Sequence, residues 1–183
     1  MMKKTVFAGF GGQGVLMMGY TLALAAMDDG KEITYLPAYG AEMRGGTANC
    51  TVAISDEEIF SPVASSPDYA VIMNNPSLIK YESMVRSGGT IFTNSSLVTK
   101  TIGRDDISVI RIPASDIAKK LKEERITNMI MLGAFVAQTQ LTSLDSIMNA
   151  LSEIAKGKKS GLMKLNRKGL DTGAEYVLKG AQV

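Results

Sequence analysis

Short apolar runs alternate with longer segments of helical periodicity along most of the chain. Apolar runs bounded by turn residues are typical of strands, and apolar positions repeating every three to four residues are typical of helices. The pattern predicts strands at 4–8, 33–36, 47–54, 69–73, 90–94 and 107–113, and helices at 14–27, 76–87, 116–124, 127–140, 142–155 and 166–178. This alternation predicts an α/β fold: a three-layer, Rossmann-like, mostly parallel sheet with an antiparallel hairpin and helices on both faces, in which residues 1–183 form a single domain.

Turn and capping residues predict where several of these elements begin and end. Pro37 should end the second strand, and the segment 47–54 turns through "SDEE" toward Ile59 and Phe60, which predicts the hairpin. Residues that favour helix starts precede three of the helices. They are Asn75 with Pro76 behind it, Ser115, and the pair Thr142 and Asp145.

Composition excludes several classes of function. The net charge of +2 is too small to indicate a nucleic-acid or membrane-surface partner. The chain has no histidine, which removes the usual neutral-pH general base, and one cysteine cannot form an iron–sulfur cluster, since a cluster needs about four thiolates. Lys3 and Lys4 precede an apolar stretch like that of a signal peptide, but "GFGGQG" interrupts it, so we expect a cytoplasmic protein without a membrane span.

A glycine-rich loop stands between the first strand and the first helix. Gly9, Gly11 and Gly14 form the G-x-G-x-x-G spacing of dinucleotide-binding folds, with Gly12 and Gln13 between them. In that motif the first glycine allows the tight turn, the second lets the backbone approach an anion, and the third allows close helix–strand packing. Free N–H groups at the helix start can then bind a phosphate or a carboxylate. Packing alone is the alternative explanation for these glycines.

Nicotinamide binding by this loop would also need an acidic residue at the end of the second strand, about twenty residues further on, to hold the ribose hydroxyls. Leu36 and Pro37 stand there instead, and the nearest acid, Glu42, lies beyond the strand. A Rossmann-like nucleotide- or NAD(P)-binding oxidoreductase acting alone therefore remains an alternative, but only the glycine half of its binding motif is present.

The loop after the second strand, in "PAYGAEMRGGTANCTV", is a second candidate anion site. It should project from the carboxyl edge of the sheet, beside the first loop, and Arg44 can offer its planar guanidinium to a phosphate or carboxylate. A surface ion pair between Glu42 and Arg44 is an equally simple explanation. The candidate binding residues of this loop are Tyr39, Gly40, Glu42, Arg44, Gly45 and Gly46.

Together the two loops resemble a known family. "GFGGQGV" and "YGAEMRGGTANC" are similar to the gamma subunit of 2-oxoacid:ferredoxin oxidoreductases, and the likeness continues through "NNPS", "GGTIFTNSSLV", "TNMIMLGA" and "LNRKGLDTGAEY". The resemblance implies a subunit, inactive alone, of an enzyme that converts a 2-oxoacid, coenzyme A and oxidised ferredoxin into acyl-CoA, carbon dioxide and reduced ferredoxin. "GFGGQGVLMMG" is closer to the 2-oxoglutarate and branched-chain members than to the pyruvate members.

The resemblance also implies how the cofactors are divided among subunits. Thiamine diphosphate, Mg²⁺ and [4Fe–4S] clusters would belong to partner alpha, beta and ferredoxin-like delta subunits, because this chain has neither the G-D-G of a thiamine–magnesium motif nor cluster cysteines. The two loops would face the shared active site, with coenzyme A as co-substrate. Catalytic residues cannot be assigned from the sequence. Asn94 and Asn128 are explained by turns and caps, with a site role left open by the resemblance.

Overall fold

In the described part of the chain, six strands form one sheet in the order β2-β3-β1-β4-β5-β6, and helices flank it. The structure is a computed structural model that describes residues 1–39, 47–61, 63, 65–155 and 160–180. The strands are β1 (Lys3–Phe10), β2 (Glu32–Tyr39), β3 (Thr47–Ser55), β4 (Tyr69–Ile72), β5 (Thr90–Asn94) and β6 (Ser108–Ile112). The α-helices are α1 (Val15–Asp28), α2 (Asn75–Tyr81), α3 (Ala114–Lys120), α4 (Thr127–Thr139), α5 (Leu144–Ala155) and α6 (Ser160–Leu178). Short 3-10 turns span Glu82–Met84 and Glu124–Ile126.

Strand β3 alone interrupts a sheet that is otherwise parallel. It lies antiparallel to both of its neighbours, β1 and β2, whereas β1, β4, β5 and β6 pair in parallel. The predicted mostly parallel sheet is therefore confirmed. The predicted partner in the hairpin is wrong, because β3 pairs with β2 and residues 56–60 form no strand. Phe60 is 91% exposed, so it offers no buried side chain that would hold a strand at that position.

Strand β2 continues past Pro37 to Tyr39, which corrects the predicted end. Pro37 lies opposite Cys50 of β3, and β2 is the last strand of the sheet on that side. An edge strand tolerates proline, since one side of its backbone needs no ladder hydrogen bond.

Both faces of the sheet are covered, as the three-layer prediction requires. On one face, Phe7, Val71 and Phe92 pack beneath helices α1 and α4. Phe135 of α4 stands at the centre of this face and makes edge-to-face contacts with Phe7, Tyr69 and Phe92, at ring-centroid distances of 5.6, 5.7 and 5.2 Å. On the other face, alternate residues of the central strands pack against α2. They are Val6, Ala8, Ala70, Ile72 and Ile91, which meet Leu78 and Tyr81.

Helices α4 and α6 approach until their backbones touch. A Cβ atom on Gly173 would lie 1.9 Å from the carbonyl oxygen of Ile130, and one on Gly133 would lie 2.1 Å from that of Leu170. Glycine at these positions is therefore a packing requirement. Helix α6 begins at Ser160, earlier than the predicted 166. No helix in the described part of the chain has both the length and the apolar composition needed to cross a membrane.

Three predicted helix caps are displaced by one or two residues. Asn74, not Asn75, caps α2, since its Oδ1 accepts the N–H of Ser77 at 2.9 Å. Ser143, not Thr142, accepts the N–H of Ser146 at 2.9 Å and caps α5. Helix α3 begins at Ala114, so Ser115 lies within it. For α2 and α5 a neighbouring polar residue provides the cap, and for α3 the N-cap position is Pro113, which makes no side-chain cap hydrogen bond. The spacing of apolar residues does not specify which of two adjacent residues takes the cap.

Candidate functional site

The glycine loop lies at the carboxyl edge of the sheet, between the end of β1 at Phe10 and the start of α1 at Val15. Gly12 and Gly14 adopt the left-handed region, with φ of +96° and +75°, which glycine adopts at little cost. Gly14 is the N-cap of α1, and no side chain of the described residues caps this helix. The strand–glycines–helix arrangement predicted for residues 9–14 is confirmed. It leaves the N–H groups of the first turn of α1 available to an anion.

Gln13 is used to brace this loop. Its Oε1 accepts the N–H of Phe10 at 2.7 Å and Nδ2 of Asn74 at 3.1 Å, and its Nε2 donates to the carbonyl of Met73 at 3.3 Å. Asn74 in turn caps α2, so one amide network joins the loop, the end of β4 and the start of α2. The sequence predicted Gln13 as a binding residue, and the structure gives its side chain a positioning role.

Gly9 and Gly14 serve contacts that differ from those predicted. A Cβ on Gly9 would meet Met73 and Val15 at 2.9 Å. A Cβ on Gly14 would lie 2.4 Å from Nδ2 of Asn128, so Gly14 admits a residue of α4 instead of bringing its helix close to a strand. The close helix–strand approach belongs to Gly19, where a Cβ would lie 2.3 Å from Sγ of Cys50.

Strand pairing brings the ends of the second predicted loop to the glycine loop. Tyr39 at the end of β2 is opposite Ala48 of β3, and Ala48 is opposite Gly9, while Thr47 is opposite Phe10. The strand ends that bound the two loops therefore lie beside each other, as predicted. The candidate residues Gly40, Glu42, Arg44, Gly45 and Gly46 lie outside the described residues, as does the side chain of Tyr39.

Two clefts flank the glycine loop and share Gly12 and Gly14. The first, the apolar cleft of about 230 Å³, lies beside the start of α1 and is lined by Phe10, Gly11, Gly12, Gly14, Val15, Leu16, Met17 and Ala48. The second, the polar cleft of about 250 Å³, lies over the ends of β4 and β5. It is lined by Gly12, Gln13, Gly14, Met73, Asn94, Leu97, Ser115, Glu124, Arg125, Thr127 and Asn128. Open α/β sheets bind ligands at this edge, outside the carboxyl ends of their strands.

The polar cleft unites residues that are far apart in the sequence. Asn94 is fully buried, and its Nδ2 donates to Oγ of Ser115 at 2.8 Å while its Oδ1 accepts the N–H of Ser115 at 3.3 Å. Asn128 contributes its amide from the first turn of α4. The sequence had suggested Asn94 and Asn128 as turn and cap residues. It gave Ser115 only as a cap and contained no signal for Arg125, because neither lies in a recognisable motif.

Cys50 and the acidic side chains do not form a metal site in the described part of the chain. Among the described residues, no group of three His, Cys, Asp or Glu side chains could hold a metal ion. Burial raises the pKa of the Cys50 thiol to about 12, and its Sγ donates to the carbonyl of Val15 at 3.5 Å. The thiol therefore remains protonated at neutral pH and acts as a small core side chain.

We expect Gly14→Ala to destabilise the protein by more than Gly12→Ala does. Both changes place a side chain on left-handed backbone at a cost of about 1–2 kcal/mol, but only residue 14 would also collide with Asn128. Adding Asn128→Ala should recover most of the excess, because it removes the two closest atoms, Nδ2 and Cγ, and leaves only Cβ at 3.0 Å. Urea denaturation of Gly12→Ala, Gly14→Ala, Asn128→Ala and the Gly14→Ala/Asn128→Ala double variant measures this coupling. Equal losses for the two glycine variants would contradict the contact.

Comparison with known proteins gives consistent relationships over nearly the whole chain. A sequence model described as pyruvate ferredoxin/flavodoxin oxidoreductase matches residues 4–176. The chain is 41% identical to the ketoisovalerate oxidoreductase subunit VorA of Methanothermobacter thermautotrophicus, covering 94% of this chain and 36% of that relative. It is 34% identical to the 2-oxoglutarate synthase subunit KorC of Methanothermobacter marburgensis, covering 98% and 99%. The chain thus spans about a third of the VorA relative and nearly all of KorC.

Solved structures share the fold. A keto/oxoacid ferredoxin oxidoreductase gamma subunit from Geobacter sulfurreducens superimposes with a TM-score of 0.81 at 29% identity, covering 97% of this chain and 99% of that one. A 2-oxoglutarate:ferredoxin oxidoreductase from Magnetococcus marinus, solved with 2-oxoglutarate, coenzyme A and succinyl-CoA, gives 0.87 at 23% identity, covering 96% of this chain and 31% of that one. At that identity the second likeness describes the fold alone.

Proposed function

The chain belongs to the pyruvate ferredoxin/flavodoxin oxidoreductase family, and from this premise we propose that it is the gamma subunit of a multi-subunit 2-oxoacid:ferredoxin oxidoreductase. The assembled enzyme would convert a 2-oxoacid, coenzyme A and oxidised ferredoxin into acyl-CoA, carbon dioxide and reduced ferredoxin. We favour 2-oxoglutarate or a branched-chain 2-oxoacid over pyruvate. The names of the relatives with 41% and 34% identity, a ketoisovalerate and a 2-oxoglutarate enzyme, support this order.

One observation favours this function over a free-standing nicotinamide enzyme: β3 lies between β1 and β2. In dinucleotide-binding folds the acidic residue that holds the ribose follows the strand next to the glycine loop. Here that neighbouring strand is antiparallel β3, which begins at this edge, and β2 ends two strand positions away, about 10 Å from β1. An acid at the end of β2 would therefore be displaced from the ribose.

The NAD(P)-dependent alternative still has the glycine spacing of residues 9–14 in its favour. It predicts that NAD⁺ or NADP⁺ stabilises the purified protein in a thermal-shift experiment, since a ligand that binds only the folded state raises Tm. Our proposal predicts no such shift. A clear rise in Tm with either nucleotide would favour the NAD(P)-dependent alternative over our proposal.

We assign thiamine diphosphate with Mg²⁺ and the [4Fe–4S] clusters to partner alpha, beta and ferredoxin-like delta subunits. Those groups supply the decarboxylation and electron-transfer chemistry when bound. The residues of this chain do not fit a cluster, since its one cysteine is buried and keeps its proton. What this chain would supply is the uncapped start of α1, whose N–H groups can hold an anionic part of coenzyme A or of the oxoacid.

Anaerobic co-purification tests the proposed function directly. A tagged copy of this chain, isolated from its native cells, should bring with it a thiamine-binding subunit and iron–sulfur subunits, identified by mass spectrometry. The isolated complex should reduce ferredoxin only when coenzyme A and a 2-oxoacid are both present, with 2-oxoglutarate, 2-oxoisovalerate and pyruvate compared. A chain that purifies alone and in which no 2-oxoacid supports reduction would contradict the proposal.

We expect Arg44→Ala in the assembled enzyme to raise the KM for coenzyme A or for the oxoacid by about tenfold to a hundredfold. A charge-assisted hydrogen bond is worth about 1.5–3 kcal/mol, and each 1.4 kcal/mol corresponds to about a factor of ten. Lys164→Ala is the control, because it removes an equal charge from the exposed side of α6. If both KM values stay unchanged in the Arg44 variant, its assignment is wrong.

A further inference from the structure

Helix α1 exposes apolar side chains along its outer side. Among the described residues, its exposed positions are Met17, Tyr20, Met27 and Asp28, of which Asp28 is the last residue of the helix. Met17, Tyr20 and Met27 are 41%, 42% and 49% exposed. A helix at the surface of a globular protein normally carries charged or polar residues on its outer side. The outer side of α1 therefore lacks the composition of a surface that stays in contact with water.

Helices α5 and α6, which pack on the same core as α1, have the ordinary composition. The exposed positions of α5 are all polar or acidic: Asp145, Asn149, Ser152 and Glu153. Those of α6 include four charged residues: Lys164, Arg167, Lys168 and Glu175. Packing on this face of the sheet thus does not require an apolar outer side, and that of α1 needs another explanation.

The apolar residues on the outer side of α1 form one continuous stripe. Met17, Tyr20, Leu24 and Met27, which we call the α1 stripe, follow one another at intervals of three, four and three residues and so share one side of the helix. The same intervals bring the apolar residues of two packed helices together. Methionine and tyrosine are also enriched at the centres of protein interfaces, where charged residues are depleted. The α1 stripe is therefore suited to an uncharged helix face of another polypeptide.

The α1 stripe lies at one edge of the domain. The ring of Tyr20 contacts that of Tyr35 in β2, with 5.5 Å between the ring centroids, and β2 is the last strand of the sheet on that side. Beyond β2, no further strand follows in the described part of the chain. A partner can therefore approach the stripe from the side of β2.

The VorA relative points to the polypeptide that fits this face. It is 41% identical to this chain, yet the match covers only 36% of its length. In that relative the fold therefore shares one chain with a further segment that is longer than the fold itself. A segment in the same chain is present in one copy per fold, and a short tether holds it at an effective concentration in the millimolar range. The counterpart of that segment is thus a constant neighbour of this fold.

We infer that the α1 stripe is a docking face for a helix of the partner subunit that corresponds to the additional segment of VorA. The inference rests on the proposed function for the presence of that subunit. On docking, Tyr20, Leu24 and Met27 become buried against uncharged residues of the partner helix. A second copy of this chain is the competing occupant, and it would make the purified chain a dimer through the same stripe.

Thiol labelling locates the docking face. The native Cys50 is buried and keeps its proton, so it does not compete with a cysteine introduced at the surface for a maleimide. Met27→Cys should react readily in the purified full chain and about tenfold or more slowly in the anaerobically isolated complex, because thiol reactivity depends on access. Leu162→Cys, at a position on α6 that is 40% exposed, is the matched control and should react at the same rate in both states. Equal labelling of the Met27 variant in the two states overturns the inference.

A charge placed on the stripe gives the second test. Met27→Lys should weaken association with the partner subunit about tenfold or more, as loss of an interface anchor does, whereas Leu162→Lys should leave it unchanged. Lysine is favourable in the last turn of a helix, so the purified Met27→Lys chain should keep its Tm.

Two results overturn the inference in this second test. One is association of the folded Met27→Lys chain as tight as that of the wild type. The other is a purified wild-type chain that is a dimer in which position 27 is already protected from the maleimide. A wild-type chain that brings no thiamine-binding subunit contradicts the proposed function, and the inference falls with it.

Discussion

Gly173→Ala should destabilise the protein by about 3 kcal/mol or more, the upper range for overpacking a core. The added Cβ would lie 1.9 Å from the carbonyl oxygen of Ile130 and 2.9 Å from the backbone nitrogen of Ala134. Both of these atoms belong to the backbone of α4, so no side chain can rotate away. The two helices would have to separate along their whole contact, which includes Gly133 against Leu170. Urea or guanidinium denaturation measures the loss.

Gly161→Ala is the matched control because Gly161 lies near the start of the same helix with nothing within 4 Å. Alanine is favoured over glycine within a helix, so we expect this variant to gain up to about 1 kcal/mol. Opposite signs for the two alanines would establish the backbone contact. Similar effects at both positions would contradict it.

Phe135→Ala should cost about 3–5 kcal/mol, as truncating a buried phenylalanine generally does. Phe135 is fully buried, and its ring contacts rings from β1, β4 and β5. These strands end at the two clefts, so a cavity at Phe135 would also loosen the support beneath the glycine loop. Thermal or chemical unfolding gives the stability change.

Phe60→Ala provides the comparison for the core truncation. Phe60 is 91% exposed, so its ring buries almost no apolar surface on folding, and removing it should change stability by less than about 0.5 kcal/mol. A small loss at Phe135, comparable with that at Phe60, would contradict its central place in the core.

The strands and most helices could be predicted because their periodicity is a local property. Strand β5 and helix α4 have nearly the expected bounds, and β3 has the expected alternation, with Cys50 and Val52 on the buried face. The order of the strands could not be predicted, because the alternation of β3 shows which side is buried and not which strands lie beside it. The hairpin was therefore assigned to the wrong neighbour.

The candidate site could likewise be predicted only in part from the sequence. The glycine spacing predicted a tight turn followed by free N–H groups at the helix start, and the described residues provide this with left-handed backbone at Gly12 and Gly14. The contact of Gly14 with Asn128 joins segments more than one hundred residues apart, and no spacing rule relates them. Ser115 and Arg125 also lie in the polar cleft because the fold brings them there, and no sequence motif indicates it.

The amide network of Gln13 determines how the glycine loop can respond to a ligand. Its hydrogen bonds to Phe10, Met73 and Asn74 already hold the turn between two strands and a helix. A molecule that reaches this turn meets a rigid receptor, so little conformational entropy is lost there on association. Binding of a ligand should accordingly leave the backbone of this turn almost unchanged.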